Sequence, residues 1–315
     1  MKFRLLKRTA GAGLAAVMAL SLTACVDQHP EENGGSDVAS EETRIVATSN
    51  ATLQICDKLG LDLVGICTTS GEVPERYQGL PEIGTAMAPD AEKITMLSPT
   101  DVIGPDTLRE TIEPTYQAAG LPYTFIDLQS VQGMYDSIAM LGEKYSVQDA
   151  ADALIDDHQS TMNAFEDVIA GKDQPTVLVL MGLPGSYIEC TPNSYVGSLV
   201  ELAGAVNVVQ VDDEMNFVSW NTEELLALDP DYILLTAHGL PEQAMEMFAE
   251  EFTTNDIWQH FRAVQENHVY QLDDKLFGMS CTFDWPNALQ VLQEILYDGT
   301  YQSYAPETES HENAA

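Results

Sequence analysis

The sequence has few basic residues. Of its 315 residues, 13 are Lys or Arg and 50 are Asp or Glu, which gives a formal net charge of -37 at neutral pH. Four of the basic residues, Lys2, Arg4, Lys7 and Arg8, lie in a segment that we expect to be removed. Because phosphate binding needs a basic surface, this shortage excludes nucleic acid as a partner. The acidic surface itself is typical of a well-solvated, soluble protein surface.

The sequence also lacks the short motifs of common enzymes. It contains no GxSxG, P-loop or HExxH motif, and residues 182–187 (GLPGSY) do not form a nucleophile elbow. It contains no CxxC pair either, so the cysteines after residue 25 do not indicate a zinc or redox motif. An exported location permits disulfides. Two alternatives therefore remain: a disulfide between Cys190 and Cys281, or unpaired cysteines in the core. The absences favour a binding protein over an enzyme.

The first 25 residues have the features of an export signal. A basic start is followed by an apolar run over residues 11–20 and then by LTAC at residues 22–25. LTAC resembles the lipobox of bacterial lipoproteins, in which the cysteine is acylated and becomes the new N-terminus. We therefore predict a signal peptide over residues 1–24, lipidation of Cys25, and a flexible polar tether over residues 25–43. No later apolar run reaches 18 residues, so we expect a lipid-anchored protein on the extracytoplasmic face of the cell membrane.

A long amphipathic stretch divides the remaining sequence. Apolar residues between positions 147 and 169 recur at helical spacing, with Ser146 as the expected N-cap and Gly171 as the stop signal. Fully helical, residues 146–170 would extend about 37 Å. Alternating strand and helix signals on both sides predict an α/β fold, in which two Rossmann-like lobes with mainly parallel sheets are joined by a single long α-helix. The predicted parts are an N-terminal lobe (44–145), the connecting helix (146–171), a C-terminal lobe (172–302) and an acidic tail (303–315).

Two segments of the sequence repeat each other. Residues 92–103 (EKITMLSPTDVI) match residues 223–234 (EELLALDPDYIL), with the same distance from glutamate to proline. Each copy predicts a short capped helix, a proline that ends it, and a buried strand. Two copies indicate two related lobes rather than a solenoid.

His238 and Met87 are candidate ligand-binding residues. His238 follows a predicted parallel strand, and open parallel sheets bind ligands beyond the carboxyl ends of their strands. A histidine in such a loop titrates near neutral pH. Met87 lies in a loop between Gly84 and Pro89, outside any amphipathic pattern, so core packing does not explain it well. Taken singly, each residue type is more often structural than functional.

Several segments together resemble the substrate-binding lipoproteins of bacterial ABC importers for haem, siderophores and cobalamin. More narrowly, the sequence looks like the haem-binding lipoproteins of the iron-regulated surface determinant system. The resemblance implies two lobes joined by one long helix, and a monomeric carrier that delivers haem, as transported ligand, to an ABC permease and its ATPase. The matching segments are LDLVG (61–65), PEIGTAMAP (81–89), LMGLPGSY (180–187), HGLPE (238–242), NDIWQHF (255–261) and NHVY (267–270).

The resemblance also implies roles for individual residues. It places the two axial ligands of the haem iron on Met87, from the first lobe, and His238, from the second. Thioether and imidazole are both haem ligands, and neither brings an anion that would have to be desolvated at the porphyrin. It further implies that Glu92 and Glu223 pair with arginines of the permease, in addition to complementing their helix dipoles.

Other positions of the implied site are less determined. Met279 or Cys281 is an alternative to Met87 as the sixth ligand. The porphyrin propionates have Lys275 and the Arg76–Tyr77 pair as weak candidates, and solvent-facing propionates fit equally well. A ferric siderophore or cobalamin is the alternative ligand, which would leave Met87 and His238 without a joint role. Four side chains are expected to line the porphyrin, although each also fits the core: Tyr187, Tyr195, Phe277 and Met279.

Overall fold

A computed structural model of the protein describes residues 43–212 and 215–304. The predicted signal peptide, the lipidation site Cys25, nearly all of the predicted tether and residues 305–315 of the acidic tail lie outside the described residues. No helix within the described part of the chain is long and apolar enough to cross a membrane.

The N-terminal lobe is built on a four-stranded sheet in the order β2-β1-β5-β6, and its neighbouring strands are all parallel. Its helices begin where the sequence offers caps: the Ser49, Asp90 and Ser130 side chains each accept a backbone hydrogen bond from the first turn. The elements are β1 (Ile45–Ala47), α1 (Asn50–Lys58), β2 (Leu63–Ile66), the hairpin β3 (Gly84–Thr85) and β4 (Ala88–Pro89), α2 (Ala91–Met96), β5 (Asp101–Pro105), α3 (Arg109–Ala119), β6 (Tyr123–Ile126) and α4 (Val131–Tyr145).

The connecting helix α5 spans Gln148–Ile169, which is 22 residues or about 33 Å. The expectation that Ser146 caps it was wrong. Ser146 instead ends α4 in the left-handed conformation, with φ of 59°, and its backbone N–H bonds to the last turn of α4. The chain needs a left-handed residue there to turn from one helix into the next, so Ser146 cannot adopt the extended conformation of an N-cap. Gly171, with φ of 76°, follows the end of the helix as expected.

The C-terminal lobe contains a mixed, mainly parallel sheet in the order β10-β8-β7-β11-β12, with β9 pairing to β7. Strand β8 runs antiparallel to both β7 and β10, because it returns from β7 through a tight hairpin. The elements are β7 (Thr176–Leu183), β8 (Ser186–Cys190), α6 (Tyr195–Leu202), β9 (Val206–Asn207), β10 (Phe217–Val218), α7 (Thr222–Ala227), β11 (Tyr232–Ala237), α8 (Pro241–Thr254), α9 (Arg262–Gln265), β12 (Val269–Gln271) and α10 (Trp285–Gln293). The predicted α/β architecture is confirmed.

One hydrophobic core runs through both lobes. A single cluster joins buried residues of the first sheet and its helices, such as Leu53 and Ile138, to buried residues of the second, such as Val179 and Leu289. The opposite face of each sheet has a separate cluster of its own. Because packed interiors resist deformation, a shared core limits how far the lobes can move apart.

His158 of α5 lies where the two lobes meet the connecting helix. Its ring stacks on Tyr135 of α4 at a centroid distance of 4.0 Å and meets Trp285 of α10 edge-on at 5.4 Å. The Trp285 Nε1–H also donates to the Tyr135 hydroxyl at 3.3 Å. Burial lowers the pKa of His158, and its Nδ1 has no hydrogen-bond partner within the described residues. The three rings therefore form an aromatic contact between the lobes and the connecting helix, and this contact favours the neutral imidazole of His158.

The internal repeat is present in the structure. In both copies a six-residue helix (α2 and α7) has a side-chain N-cap, Asp90 or Asn221, and leads into a central strand (β5 and β11). Both helices end at a leucine followed by a left-handed residue, Ser98 with φ of 46° or Asp229 with φ of 45°. The same sequence pattern therefore gives the same backbone path in both lobes.

The four cysteines of the described chain are unpaired and buried, so no bridge joins Cys190 to Cys281. Burial raises the pKa of the Cys56 and Cys190 thiols to about 12 and that of Cys67 to about 11. These thiols are core residues that stay protonated.

Candidate functional site

His238 lies at the carboxyl end of β11, an interior strand of the second sheet between β7 and β12. Its backbone N–H continues the β7–β11 ladder by donating to the Gly182 carbonyl at 2.9 Å. Gly239 and Leu240 then take left-handed conformations before Pro241 begins α8, so the chain turns sharply just after the histidine. The imidazole is exposed to solvent at this edge. Burial by the surrounding protein nevertheless lowers its pKa, which favours the neutral form that binds metals.

Gly182 lets helix α8 approach the strand beside His238. A Cβ atom at position 182 would lie 2.7 Å from the Ala244 Cβ and 2.9 Å from a ring carbon of Phe248. Only a glycine permits this spacing without movement of α8. The segment that carries His238 is therefore fixed between a strand ladder and a closely packed helix.

Met87 lies at the turn of the β3–β4 hairpin, which follows the carboxyl end of β2. Its side chain is 62% exposed, which agrees with the lack of a core-packing pattern around it. The hairpin is fixed at its base, because the Thr68 N–H donates to the Gly84 carbonyl at 2.8 Å and the Asp90 N–H to the Ile83 carbonyl at 2.6 Å. The thioether therefore projects from a short turn with an anchored base.

Gly84 is required by the geometry of this hairpin. It has φ of 99°, and a Cβ atom there would lie 2.6 Å from the Ala88 carbonyl oxygen across the turn. Both the left-handed conformation and the close backbone approach exclude a side chain.

The edges that carry Met87 and His238 are bridged by hydrogen bonds between the lobes. The Cys281 N–H, in the segment that follows β12, donates to the Leu128 carbonyl just after β6 at 2.7 Å. Asn216 of the second lobe also bonds to Gln129 of the first. A cavity of about 470 Å³ lies at this junction, lined by residues of both lobes: Asp106, Asp127, Gln129, Ser130, Pro192, Asn193 and Asn216.

Two of the four predicted lining side chains belong to the core. Tyr195 is 1% exposed and Phe277 has no accessible surface, and both pack in the shared cluster. The structure does not support a lining role for them, because a side chain without accessible surface cannot touch a ligand unless the core rearranges. Tyr187 and Met279 are partly exposed, so a lining role for these two stays a prediction.

Cys281 is not a suitable alternative ligand. It is fully buried, and burial raises the pKa of its thiol, so the ligating thiolate is disfavoured. Its backbone N–H is the one that bridges the lobes. Met279 is partly exposed, so it remains the predicted alternative to Met87 as the sixth ligand of the iron.

The Arg76–Tyr77 pair lies at the wrong end of the first sheet for a propionate partner. Arg76 forms an ion pair with Asp62 at 2.8 Å, and Asp62 immediately precedes β2. Tyr77 is buried and donates to the Leu61 carbonyl at 2.6 Å. Both residues are therefore held near the amino end of β2, whereas Met87 follows its carboxyl end.

Arg109 is a basic residue on the appropriate edge that the sequence reasoning missed. It follows the carboxyl end of β5, pairs with Asp106 at 2.5 Å and lies over the Phe125 ring at 4.7 Å. Its position shortly after a predicted strand is the signal that would have identified it. Lys275 follows the carboxyl end of β12 and is exposed, so it stays a candidate.

Glu92 and Glu223 are exposed in the first turns of α2 and α7, at equivalent positions of the repeat. The two helices thus present one carboxylate each from equivalent backbone positions.

Two α/β lobes joined by one long helix, with polar groups at bridged strand ends, define the class of two-lobed substrate-binding proteins. The chain belongs to the periplasmic binding protein family, whose model matches residues 45–276. The resemblance inferred from the sequence segments is thereby confirmed.

Similar proteins include carriers from two bacteria. The chain is 39% identical to the high-affinity heme uptake system protein IsdE of Staphylococcus aureus strain Newman over 285 residues, which cover 90% of this chain and 96% of that protein. An ABC transporter substrate-binding protein from Listeria monocytogenes EGD-e matches with a TM-score of 0.78 and 43% identity, over 82% of this chain and 100% of that one. The crystal structure of S. aureus IsdE complexed with heme matches with a TM-score of 0.77 and 40% identity, over 81% and 99%.

Proposed function

We propose that this protein is the haem-binding component of an ABC importer, with Met87 and His238 as the axial ligands of the haem iron. The observation that carries the proposal is the similarity to IsdE along nearly the whole chain, which includes a structure complexed with heme. The protein is a carrier and not an enzyme, and haem is its transported ligand.

The chemistry of the two side chains supports this ligand. A porphyrin already supplies four nitrogen ligands, so the protein needs to add only two. A neutral imidazole and a thioether are both suited to haem iron, and this pair raises its reduction potential. His238 favours the neutral form that ligation needs, and the Met87 thioether is accessible.

One ligand from each lobe makes haem a link between the lobes. The shared core and the hydrogen bonds between the lobes support a small closing movement rather than a wide hinge motion. Most of the adjustment then falls to the side chain of Met87, which is 62% exposed at the turn of its hairpin.

Delivery requires a permease and its ATPase, for which Glu92 and Glu223 are the proposed docking residues. Their exposure and their equivalent positions in the two lobes support a partner with two matching basic sites. Arginine is the expected contact, since its guanidinium binds carboxylates through two parallel hydrogen bonds.

The carrier acts as a lipid-anchored monomer on the extracytoplasmic face of the cell membrane, attached through Cys25. This part of the proposal depends on the LTAC sequence at residues 22–25. Replacing Cys25 by Ala should release the protein from the membrane fraction and abolish labelling by a fatty-acid analogue. Persistent membrane association of the variant would contradict the anchor.

Titration with haemin, followed by absorption spectroscopy, tests the ligand. We expect a sharp Soret band with low-spin visible bands, altered in Met87→Ala and broadened or lost in His238→Ala. Met96→Ala and His260→Ala are matched controls, since both residues are exposed and outside the site. A protein that leaves the haemin spectrum unchanged while it binds a ferric siderophore or cobalamin would favour the alternative ligand.

A further inference from the structure

Glu189 is a carboxyl side chain without accessible surface in the second lobe. It lies on β8, opposite Leu180 of β7 on one side and Val218 of β10 on the other. Because side chains alternate along a strand, it points to the same face as Tyr187, whose ring packs on Phe248. An ionised carboxylate in such a place is costly unless it is fully hydrogen-bonded.

Only part of that requirement is met. The Trp220 backbone N–H donates to Oε2 of Glu189 at 2.9 Å, whereas Oε1 is buried without a hydrogen-bond partner in the described chain. Trp220 directly precedes Asn221, the N-cap of α7. Glu189 is therefore the side chain that attaches the connection between β10 and α7 to the sheet.

The surroundings of the Glu189 carboxyl, burial above all, do not favour its ionisation. Burial raises the pKa of Glu189 to about 7; the Trp220 N–H opposes this rise, and the nearby Glu224 adds to it. The neighbouring strands β7 and β10 contain no ionisable side chain. Other ionisable groups on this face include Tyr187 on the same strand, Glu251 of α8, which lies close to Tyr187, and Tyr304.

We infer that Glu189 is a positioning residue for the permease-docking surface, and that it holds the start of α7, and with it Glu223, against the sheet only while it is protonated. The ionised carboxylate needs further hydrogen bonds, and water must supply them. The connection between β10 and α7 then opens to admit water. The docking role of Glu223 is itself part of the proposed function, on which this inference rests.

The first lobe provides an internal reference. The start of α2 is fixed by the Asp90 side chain, which caps it, and by the Asp90 N–H, which donates to the Ile83 carbonyl at 2.6 Å. Both contacts are local and involve no fully buried carboxyl. Glu92 should therefore keep its position over the pH range in which Glu223 is released.

Hydrogen exchange of the full chain at pH 6 and pH 8, corrected for the intrinsic exchange rates, tests the inference. Between these pH values, exchange of the segment 217–224 should accelerate about fivefold or more, within the usual range of coupling between sites. Exchange of the segment 91–96 should not change. In Glu189→Gln, which keeps the shape and an acceptor for Trp220 but cannot ionise, the segment 217–224 should stay protected at both pH values.

A second variant leaves Glu189 untouched. Glu224→Gln removes the negative charge that raises the pKa of Glu189, while glutamine at this position still completes the capping box of α7. The pH at which exchange accelerates should therefore move downward. An unchanged pH dependence in both Glu189→Gln and Glu224→Gln would overturn the inference, and unaltered haemin spectra establish that the variants are folded.

Binding to the permease–ATPase complex in nanodiscs separates the inference from the proposed function. Wild-type affinity should fall about fivefold between pH 6 and pH 8, while that of Glu189→Gln stays constant. Affinity that is independent of pH in the wild type, alongside weakened binding of Glu223→Ala, would overturn the inference and leave the docking proposal standing. Unweakened binding of Glu223→Ala would refute docking through Glu223 and, with it, the positioning role, whatever the haemin spectrum shows.

Discussion

The two lobes hold their proposed iron ligands in different ways. His238 continues a strand ladder through its bond to Gly182 and lies beside a closely packed helix. Met87 projects from a two-residue turn and is largely exposed. A preorganised ligand loses little conformational entropy when it binds, whereas a flexible one must be ordered. The comparison indicates that the second lobe provides the fixed half of the site and the first lobe the adaptable half.

The largest expected effect on haem binding comes from replacing His238, the ligand in the fixed half of the site. His238→Ala should weaken haem binding by more than about 100-fold, since loss of an outer-shell partner of a metal ligand alone costs about 10–100-fold. Met87→Ala should cost about tenfold, because water or Met279 can take the open position. Haem titration by absorption spectroscopy measures both, with His260→Ala and Met96→Ala as controls. A greater loss for Met87→Ala than for His238→Ala would reverse the comparison.

The second effect concerns the contribution of Glu189, in the second lobe, to the free energy of unfolding of the protein. The pKa of Glu189 is about 7 in the folded protein against an ordinary value of 4.5, so the folded state holds its proton more tightly than the unfolded state does. This contribution to stability is present in full below about pH 4.5 and is lost as the pH rises through 7. The loss amounts to about 3 kcal/mol.

Denaturant unfolding of wild type and Glu189→Gln from pH 4 to pH 8 measures that contribution as the difference between the two proteins. We expect the free energy of unfolding of Glu189→Gln to increase relative to that of the wild type as the pH rises. A difference that does not depend on pH would show that Glu189 has the same pKa in the folded and unfolded states, which would contradict this contribution.

A third experiment disturbs the hairpin that carries Met87, in the adaptable half of the site, without replacing Met87 itself. Gly84→Ala should strain the hairpin by about 1–3 kcal/mol and weaken haem binding, because its Cβ meets the Ala88 carbonyl across the turn. Gly79→Ala is the matched control: it also has a left-handed φ, of 82°, but its Cβ would meet nothing within 4 Å. Haem titration should show a loss for Gly84→Ala only. Equal losses in both variants would assign the effect to backbone strain in general.

The smallest expected effects compare the two copies of the repeat. Asp90→Ala and Asn221→Ala each remove the N-cap of a six-residue helix, which should lower the free energy of unfolding by about 1 kcal/mol. Denaturant unfolding measures both, with the exposed Ser219→Ala as the control. A loss in only one copy would show that the shared sequence pattern does not make the two helices energetically equivalent.

Much of the fold could be predicted from local signals. Cap-type residues begin four of the helices, and the side chain of each accepts a backbone hydrogen bond from the first turn: Ser49, Asp90, Ser130 and Ser194. Such signals succeed because a capping side chain bonds to backbone only two or three residues away. Ser146 was misassigned because two helices compete for it, and the requirement of the first helix for a left-handed end prevailed.

The site was predicted less evenly. His238 was expected at the carboxyl end of a parallel strand and lies there, because strand direction follows from the order of the elements along the chain. Met87 was expected in a loop outside the core, and its side chain is exposed. Tyr195 and Phe277 were misjudged, since an aromatic side chain at a strand or helix end looks the same in sequence whether it faces the core or a ligand. Arg76 was misplaced because the direction of the long loop after β2 cannot be read from its composition.

The amino-acid sequence by itself determined the alternation of strands and helices, the long helix between the lobes, the repeated helix–proline–strand unit and the shortage of positive charge. These features depend on short-range hydrogen bonding and on periodicity, which are local properties of a chain. The tertiary structure alone decided that the lobes share one core, that the cysteines stay apart, and that Glu189 is buried with one oxygen unpaired. Those features depend on which distant segments pack together, because burial and desolvation are set by the neighbours of a residue in space.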